Sequence, residues 1–292
     1  MSSTSLTRLK IGQDEFRFGE ADREVAMYAA AALTEIRGKA EAITGVKGPQ
    51  TLRILITKKP PRALDFTWCA PSLFVWYGVA LAGLLLLIWF PYKYKQSSVS
   101  PFDIAGICIA IVSSLVIGLV IVRLLRIGHH TKRLWPDCGG LTMATHSLRA
   151  IIALHWPLPQ PNRSPNQLAI RTYADASIEA KLAHEYGHCL LRSFPQASCL
   201  PAWFDEGFAF WFSEQVTGES FFRPESRACV EEPEDKVDPR LEMTPRDDRY
   251  VRLMARYYWE VRTLAEEGRL LDALKANPGA LERLRPRLRA GD

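Results

Sequence analysis

Two histidines four residues apart, His184 and His188, lie in the run Ser177 to Phe194, and they restrict what this chain can fold into more than any other feature. Ile178, Leu182, Cys189 and Leu190 follow helical spacing, and Asp175 or Ser177 can cap the start, so the five residues His184-Glu185-Tyr186-Gly187-His188 are predicted well inside a helix. Both imidazoles then project from one face, a spacing that suits a single Zn²⁺. Glu185 is one step round the helix, close enough to take a proton from a water that the metal activates. The bland alternative is two partly exposed histidines beside a solvated glutamate.

A second stretch argues against that alternative. Pro201 to Glu214 begins a new predicted helix in which Glu206 stands among Trp203, Phe204, Phe208 and Phe210. Burying a carboxylate in so apolar a run is costly unless a positive charge offsets its desolvation, and a metal ion does so. Two histidines and one carboxylate would leave a fourth position for water.

The HExxH run followed by Trp203-Phe-Asp-Glu-Gly-Phe-Ala209 resembles the gluzincin zinc metallopeptidases, in which an E-G-x-A helix supplies the third ligand. Carried over residue by residue, the resemblance makes His184, His188 and Glu206 the ligands of one zinc per chain and Glu185 the general base. It covers roughly Ile170 to Glu214. It implies a zinc metallopeptidase, an endopeptidase by its site, acting on a peptide or protein substrate. Gly140 to Thr145 is faintly similar to the glycine-x-methionine-glutamate-asparagine motif of gluzincin aminopeptidases, but Ala144 follows Met143, so the glutamate that grips a free amino terminus is missing. Related enzymes also place a tyrosine or histidine over the oxyanion, and Tyr257 or Tyr258 is the candidate here, with Tyr257 preferred. The competing reading is a non-catalytic membrane scaffold or peptide-binding protein that retains a zinc site. Glu185 argues against it, because structural zinc needs no base.

Two uncharged runs, Leu73 to Phe90 and Ile104 to Val122, are each about the length a helix needs to cross a bilayer core, and residues 72–123 are predicted as a transmembrane hairpin. The polar start, Met1 to Phe18, shows no cleavable signal. Lys58, Lys59 and Arg62 precede the first run and Arg123, Arg126, Lys132 and Arg133 follow the second, against Lys93 and Lys95 between them. That pattern predicts an integral membrane protein with two spans, embedded in a lipid bilayer, with both termini and the catalytic site cytoplasmic. These flanks carry much of the net charge of +5, and no basic stretch interleaved with aromatics points to nucleic acid. The substrate would then be a peptide or protein near the membrane. The six cysteines form no CxxC pair and fit a reducing compartment; Cys189 reads as a small buried hydrophobe, and His129 and His130 as part of the polar flank.

Elsewhere, Glu20 to Thr44 has helical periodicity and Thr51 to Thr57 alternates as a strand. Cys138 to Leu154 reads as one or two strands and Gln167 to Tyr173 as a short one. Thr217 to Asp248 is charged and reads as a solvated loop or a lid, Tyr250 to Leu264 as a helix, and Leu270 to Leu288 as one or two helices around Pro278. The fold class expected is α+β: a gluzincin-like domain with a small mixed sheet, the HExxH helix and C-terminal helices, interrupted by the hairpin. Residues 1–65 would supply a helix and a strand, and residues 136–292 the catalytic part. The two pieces are each too poor in apolar surface to fold alone, so the hairpin is expected as an insertion within one domain.

Overall fold

The computed structural model describes residues 6–61, 78, 112, 118, 122, 140–145, 149–156, 176–194, 200–231 and 248–286. The chain divides into two compact units, residues 1–61 with 133–292, and residues 62–132. The first is mixed α+β. Its five-stranded sheet runs β1 (Thr7–Ile11), β2 (Asp14–Phe18), β3 (Thr51–Thr57), β5 (Arg149–His155), β4 (Gly140–Thr145) in spatial order. The two central pairings, β2 with β3 and β3 with β5, are parallel, and the outer two are antiparallel.

Within the polar stretch that ends at Phe18, β1 and β2 form a hairpin across Gly12, whose φ of 59° suits a tight turn. The hairpin carries only a thin apolar stripe. Asp14, Phe16 and Phe18 point to the buried face, and Asp14 is buried because Arg37 pairs with both its oxygens while the Leu52 amide donates to Oδ1 at 2.8 Å. Those bonds tie β2 to β3 and to α1 (Arg23–Thr44), which buries Ala26, Ala29, Leu33, Ile36 and Ala40 along one side.

Helix α2 (Ile178–Leu191) packs on α1, β4 and β5, and helix α3 (Ala202–Thr217) packs between α2 and α4 (Asp248–Glu266). α3 is apolar on all sides because it has neighbours on two opposite faces. Short helices α5 (Leu270–Lys275) and α6 (Pro278–Leu284) complete the described chain. The solvated-loop reading of 217–248 is corrected in its first half. Phe221, Phe222, Cys229 and Val230 are buried, and a 3-10 helix, Pro224–Glu231, packs on α4. Residues 232–247 lie outside the described residues, as does the strand expected at Gln167 to Tyr173.

The transmembrane hairpin is also corrected. Among the described residues no helix is long and apolar enough to cross a membrane. α3, the most apolar of them, has 16 residues and carries Asp205, Glu206 and Glu214, where a span needs about 20 predominantly apolar ones. The fold class that the described residues show is therefore α+β, with no spanning helix among them, and the expected two-span localisation with cytoplasmic termini is corrected on the same finding. The runs at 73–90 and 104–122 lie outside the described residues, apart from helical Gly78, Val112, Gly118 and Val122.

Candidate metal centre

Each residue of His184-Glu185-Tyr186-Gly187-His188 addresses a different neighbour. Ser177 caps α2 by accepting from the Ala180 amide at 3.0 Å, which fixes the register of the helix. His184 and His188 then stand on one face with ring centroids 5.0 Å apart and planes at 85°. Tyr186 turns toward α1, where Arg37 approaches its hydroxyl; burial, opposed by Arg37, pushes its pKa up to about 12. Gly187 faces α3. A Cβ there would lie 3.0 Å from the Ala209 Cα, so the lack of a side chain is what lets α2 and α3 cross closely.

That crossing brings in Glu206. Its Oε2 lies 3.9 Å from His184 Nε2 and 3.7 Å from His188 Nε2. The three ligand atoms are within 4.8 Å of one another, a group that can hold a metal ion. Tetrahedral zinc with bonds near 2.1 Å separates its ligand atoms by about 3.4 Å, so the two Glu206 spacings need to close by only about half an ångström or less to fit an ion. Two imidazoles and a carboxylate are also the donor types such an ion takes. No protein-family model, curated protein or solved structure matches this chain. Only the residues themselves therefore bear on what the site does.

The E-G-x-A run has a packing cause visible in the same helices. Ala209 meets Gly187 on the α2 side, and Gly207 meets α4 on the other, where a Cβ would lie 2.2 Å from the Tyr257 main-chain oxygen. Ser213 adds a bond from its hydroxyl to the Ala180 carbonyl at 2.8 Å. Phe210 packs on His184 with centroids 4.3 Å apart and planes tilted by 59°, and is backed by Phe221 and Phe222.

Sequence reasoning missed Asp205. Its Oδ1 is 2.9 Å from His188 Nδ1, and its Oδ2 accepts from Arg192 Nη2 at 2.8 Å. With a carboxylate on Nδ1, that nitrogen carries a ring proton and Nε2, on the Glu206 side, is the nitrogen that an ion would take in exchange for the second proton. The signal available was the Asp-Glu pair in an apolar run: one acidic group for an ion, the other for the ligand that holds it. The two histidines titrate differently. Burial and the neighbouring His188 hold His184 well below the usual imidazole range. Burial also opposes charge on His188, but Asp205, Glu206 and Glu185 outweigh it and raise its pKa to about 9.

Glu185, 5% exposed, faces β4 beside Gly140 and Thr142. Tyr257 contributes its carbonyl to the α3–α4 crossing, and its ring lies 5.9 Å from the Arg285 guanidinium carbon, which also covers Trp203. Tyr258 donates to Glu214 and accepts from Arg262 at 2.7 Å. The structure thus gathers His184, His188 and Glu206 with Glu185 adjacent. It places the rings of Tyr257 and Tyr258 in packing and ion-pair contacts of α4.

Proposed function

We propose that this chain is a zinc-dependent metallopeptidase that hydrolyses internal peptide bonds, with one Zn²⁺ held by His184, His188 and Glu206. The observation that carries the reading is the convergence of three ligand atoms from two helices with a buried carboxylate, Glu185, on the next position of the same helix. A bound Zn²⁺ supplies Lewis acidity and brings the ionisation of water into the neutral range. The chain's own residues do the rest. Glu185 accepts a proton from the attacking water as its oxygen bonds to the carbonyl carbon, and returns that proton to the nitrogen as the C–N bond breaks. Asp205 orients His188. β4, last in the sheet order, runs past Glu185 and suits an extended substrate laid alongside it.

The test is elemental analysis of the purified full chain followed by turnover of a quenched peptide library. Glu185→Gln is expected to keep stoichiometric zinc and to lose activity by about 10²–10⁴-fold, because the amide still accepts a hydrogen bond and cannot carry the proton. Full activity in that variant removes Glu185 from the mechanism. Zinc retained after His188→Ala or Glu206→Ala shows the ligand set to be wrong, and a zinc-loaded wild type inert on every peptide points to a scaffold.

A further inference from the structure

Resting on the peptidase reading, we infer that Thr142 is a positioning residue for the general base: its hydroxyl, delivered by β4, holds one oxygen of the Glu185 carboxylate and so fixes the orientation in which that group exchanges protons with substrate and water. Thr142 Oγ1 lies 2.5 Å from Glu185 Oε2 and 3.1 Å from the Glu185 main-chain oxygen. One hydroxyl has one proton, and the carboxylate takes it: hydroxyl–carboxylate bonds are charge-assisted and run roughly 2.5–2.7 Å.

The second observation is steric and concerns the other oxygen. Gly140 lies on the same face of β4, two residues before Thr142. A Cβ on Gly140 would lie 2.4 Å from Glu185 Oε1 and 2.8 Å from Cγ and Cδ. The Gly-x-Thr face of β4 therefore fits this carboxylate twice, with an absent side chain clearing space for one oxygen and a hydroxyl fixing the other. Register secures the fit. Gly140 pairs with Leu154 and Thr142 with Ile152 on β5, so a one-residue slip of β4 would turn both Gly140 and the Thr142 hydroxyl to the other face of the sheet.

A glutamate one position beyond a metal ligand has three side-chain torsions with which to miss its target. Misplacing a reacting group by about 1 Å can cost roughly 100-fold in rate, so a single bond that fixes the carboxylate acts on turnover more than on binding. The step balances on this carboxylate: the proton taken from water goes to Glu185 and passes from there to the leaving nitrogen.

The experiment uses the zinc-loaded full chain with Thr142→Val, which swaps the hydroxyl for a methyl group, and Thr142→Ser, which keeps it. Two readouts are taken: kcat and KM on a quenched peptide, and the ¹³C resonance of the Glu185 carboxyl in protein labelled at glutamate, assigned by its loss in Glu185→Gln. The valine variant is expected to keep its zinc, hold KM within about threefold and lose about 10–100-fold in kcat, with the carboxyl resonance displaced; serine is expected to restore both. If valine fails to fold, Thr142→Ala is measured in its place. Unchanged kcat, an unmoved resonance, or failure of serine to rescue overturns the inference. Loss of zinc in both hydroxyl-free variants also overturns it, since Thr142 would then serve the ligands. A zinc-loaded wild type without turnover refutes the peptidase reading and the catalytic meaning of the contact with it. Equal turnover in wild type and Thr142→Val refutes the inference alone.

Discussion

Replacing Gly207 and Gly187 with alanine, one at a time, separates the packing of α3 from its part in the metal centre. A Cβ on Gly207 lies 2.2 Å from the Tyr257 main-chain oxygen and 2.8 Å from Val261 Cγ2. Carbon and oxygen rest about 3.3 Å apart, so α4 must retreat by about 1 Å. α3 cannot give way instead, because Ala209 already stands against Gly187 on its far side. Overpacking costs about 1–3 kcal/mol, and a main-chain obstacle puts this case at the upper end; alanine's better helix propensity offsets about 1 kcal/mol. The net loss of about 2 kcal/mol lowers the main melting transition by about 4–8 °C for a unit of this size. Because α2 and α3 carry all three ligands and keep their crossing, zinc affinity is expected to change by less than about threefold. Gly187→Ala behaves in the opposite way. Its Cβ meets the Ala209 Cα at 3.0 Å, a clash that a few tenths of an ångström between α2 and α3 relieves. That shift widens the 3.7 and 3.9 Å ligand spacings which an ion must close, so affinity is expected to fall about tenfold while stability falls by less than about 1 kcal/mol. Thermal melts of the metal-free chain and chelator competition for zinc measure the two effects. A greater loss of zinc affinity in Gly207→Ala than in Gly187→Ala would refute the reasoning.

Asp205→Asn is expected to weaken zinc binding by about 10–100-fold in chelator competition, because an amide does not hold the His188 tautomer as a carboxylate does; unchanged affinity would make the contact incidental. His188, raised from 6.5 to about 9 in the metal-free fold, contributes stability that is fully present below pH 6.5 and lost as pH rises through about 9. Zinc binding displaces that proton, so affinity is expected to climb with pH up to about 9, and titration calorimetry in buffers of different ionisation heat is expected to show release of about one proton near pH 7.5. An absence of proton release there would contradict the pairing of His188 with Asp205.

How much of this was legible in the sequence follows from the range of the interactions. Helical periodicity, the Ser177 cap and the alternation in β3 are local, and α1, α2 and β3 stand where they are read. The β1–β2 hairpin was passed over because Arg8, Lys10, Asp14, Glu15 and Arg17 hide its stripe; the Gly12-Gln13 turn before Phe16 and Phe18 was the available signal. Sheet order was out of reach, since 91 residues separate the end of β3 from the start of its neighbour β5, and pairing rules are silent across so long a segment. Thr142 and Asp205 escaped for the same reason: each acts on a side chain of another element. The transmembrane reading rested on two uncharged runs that lie outside the described residues, and no described helix is long and apolar enough to cross a membrane.

The electrostatics of the centre account for how it can stay assembled before an ion arrives. Asp205 sits in the first turn of α3, where the helix dipole favours an anion, and Arg192 neutralises part of its charge. That alone would leave two buried carboxylates and Glu185 close to one another. The remaining positive charge comes from His188, whose raised pKa is the response of an imidazole to those three acids. His184, desolvated and beside the charged His188, is kept neutral and ready to donate its lone pair. Metal loading is then an exchange of one proton for one dication at a site whose helices are already locked by Gly187, Ala209 and Ser213, and its energy is spent on coordination instead of on ordering the chain.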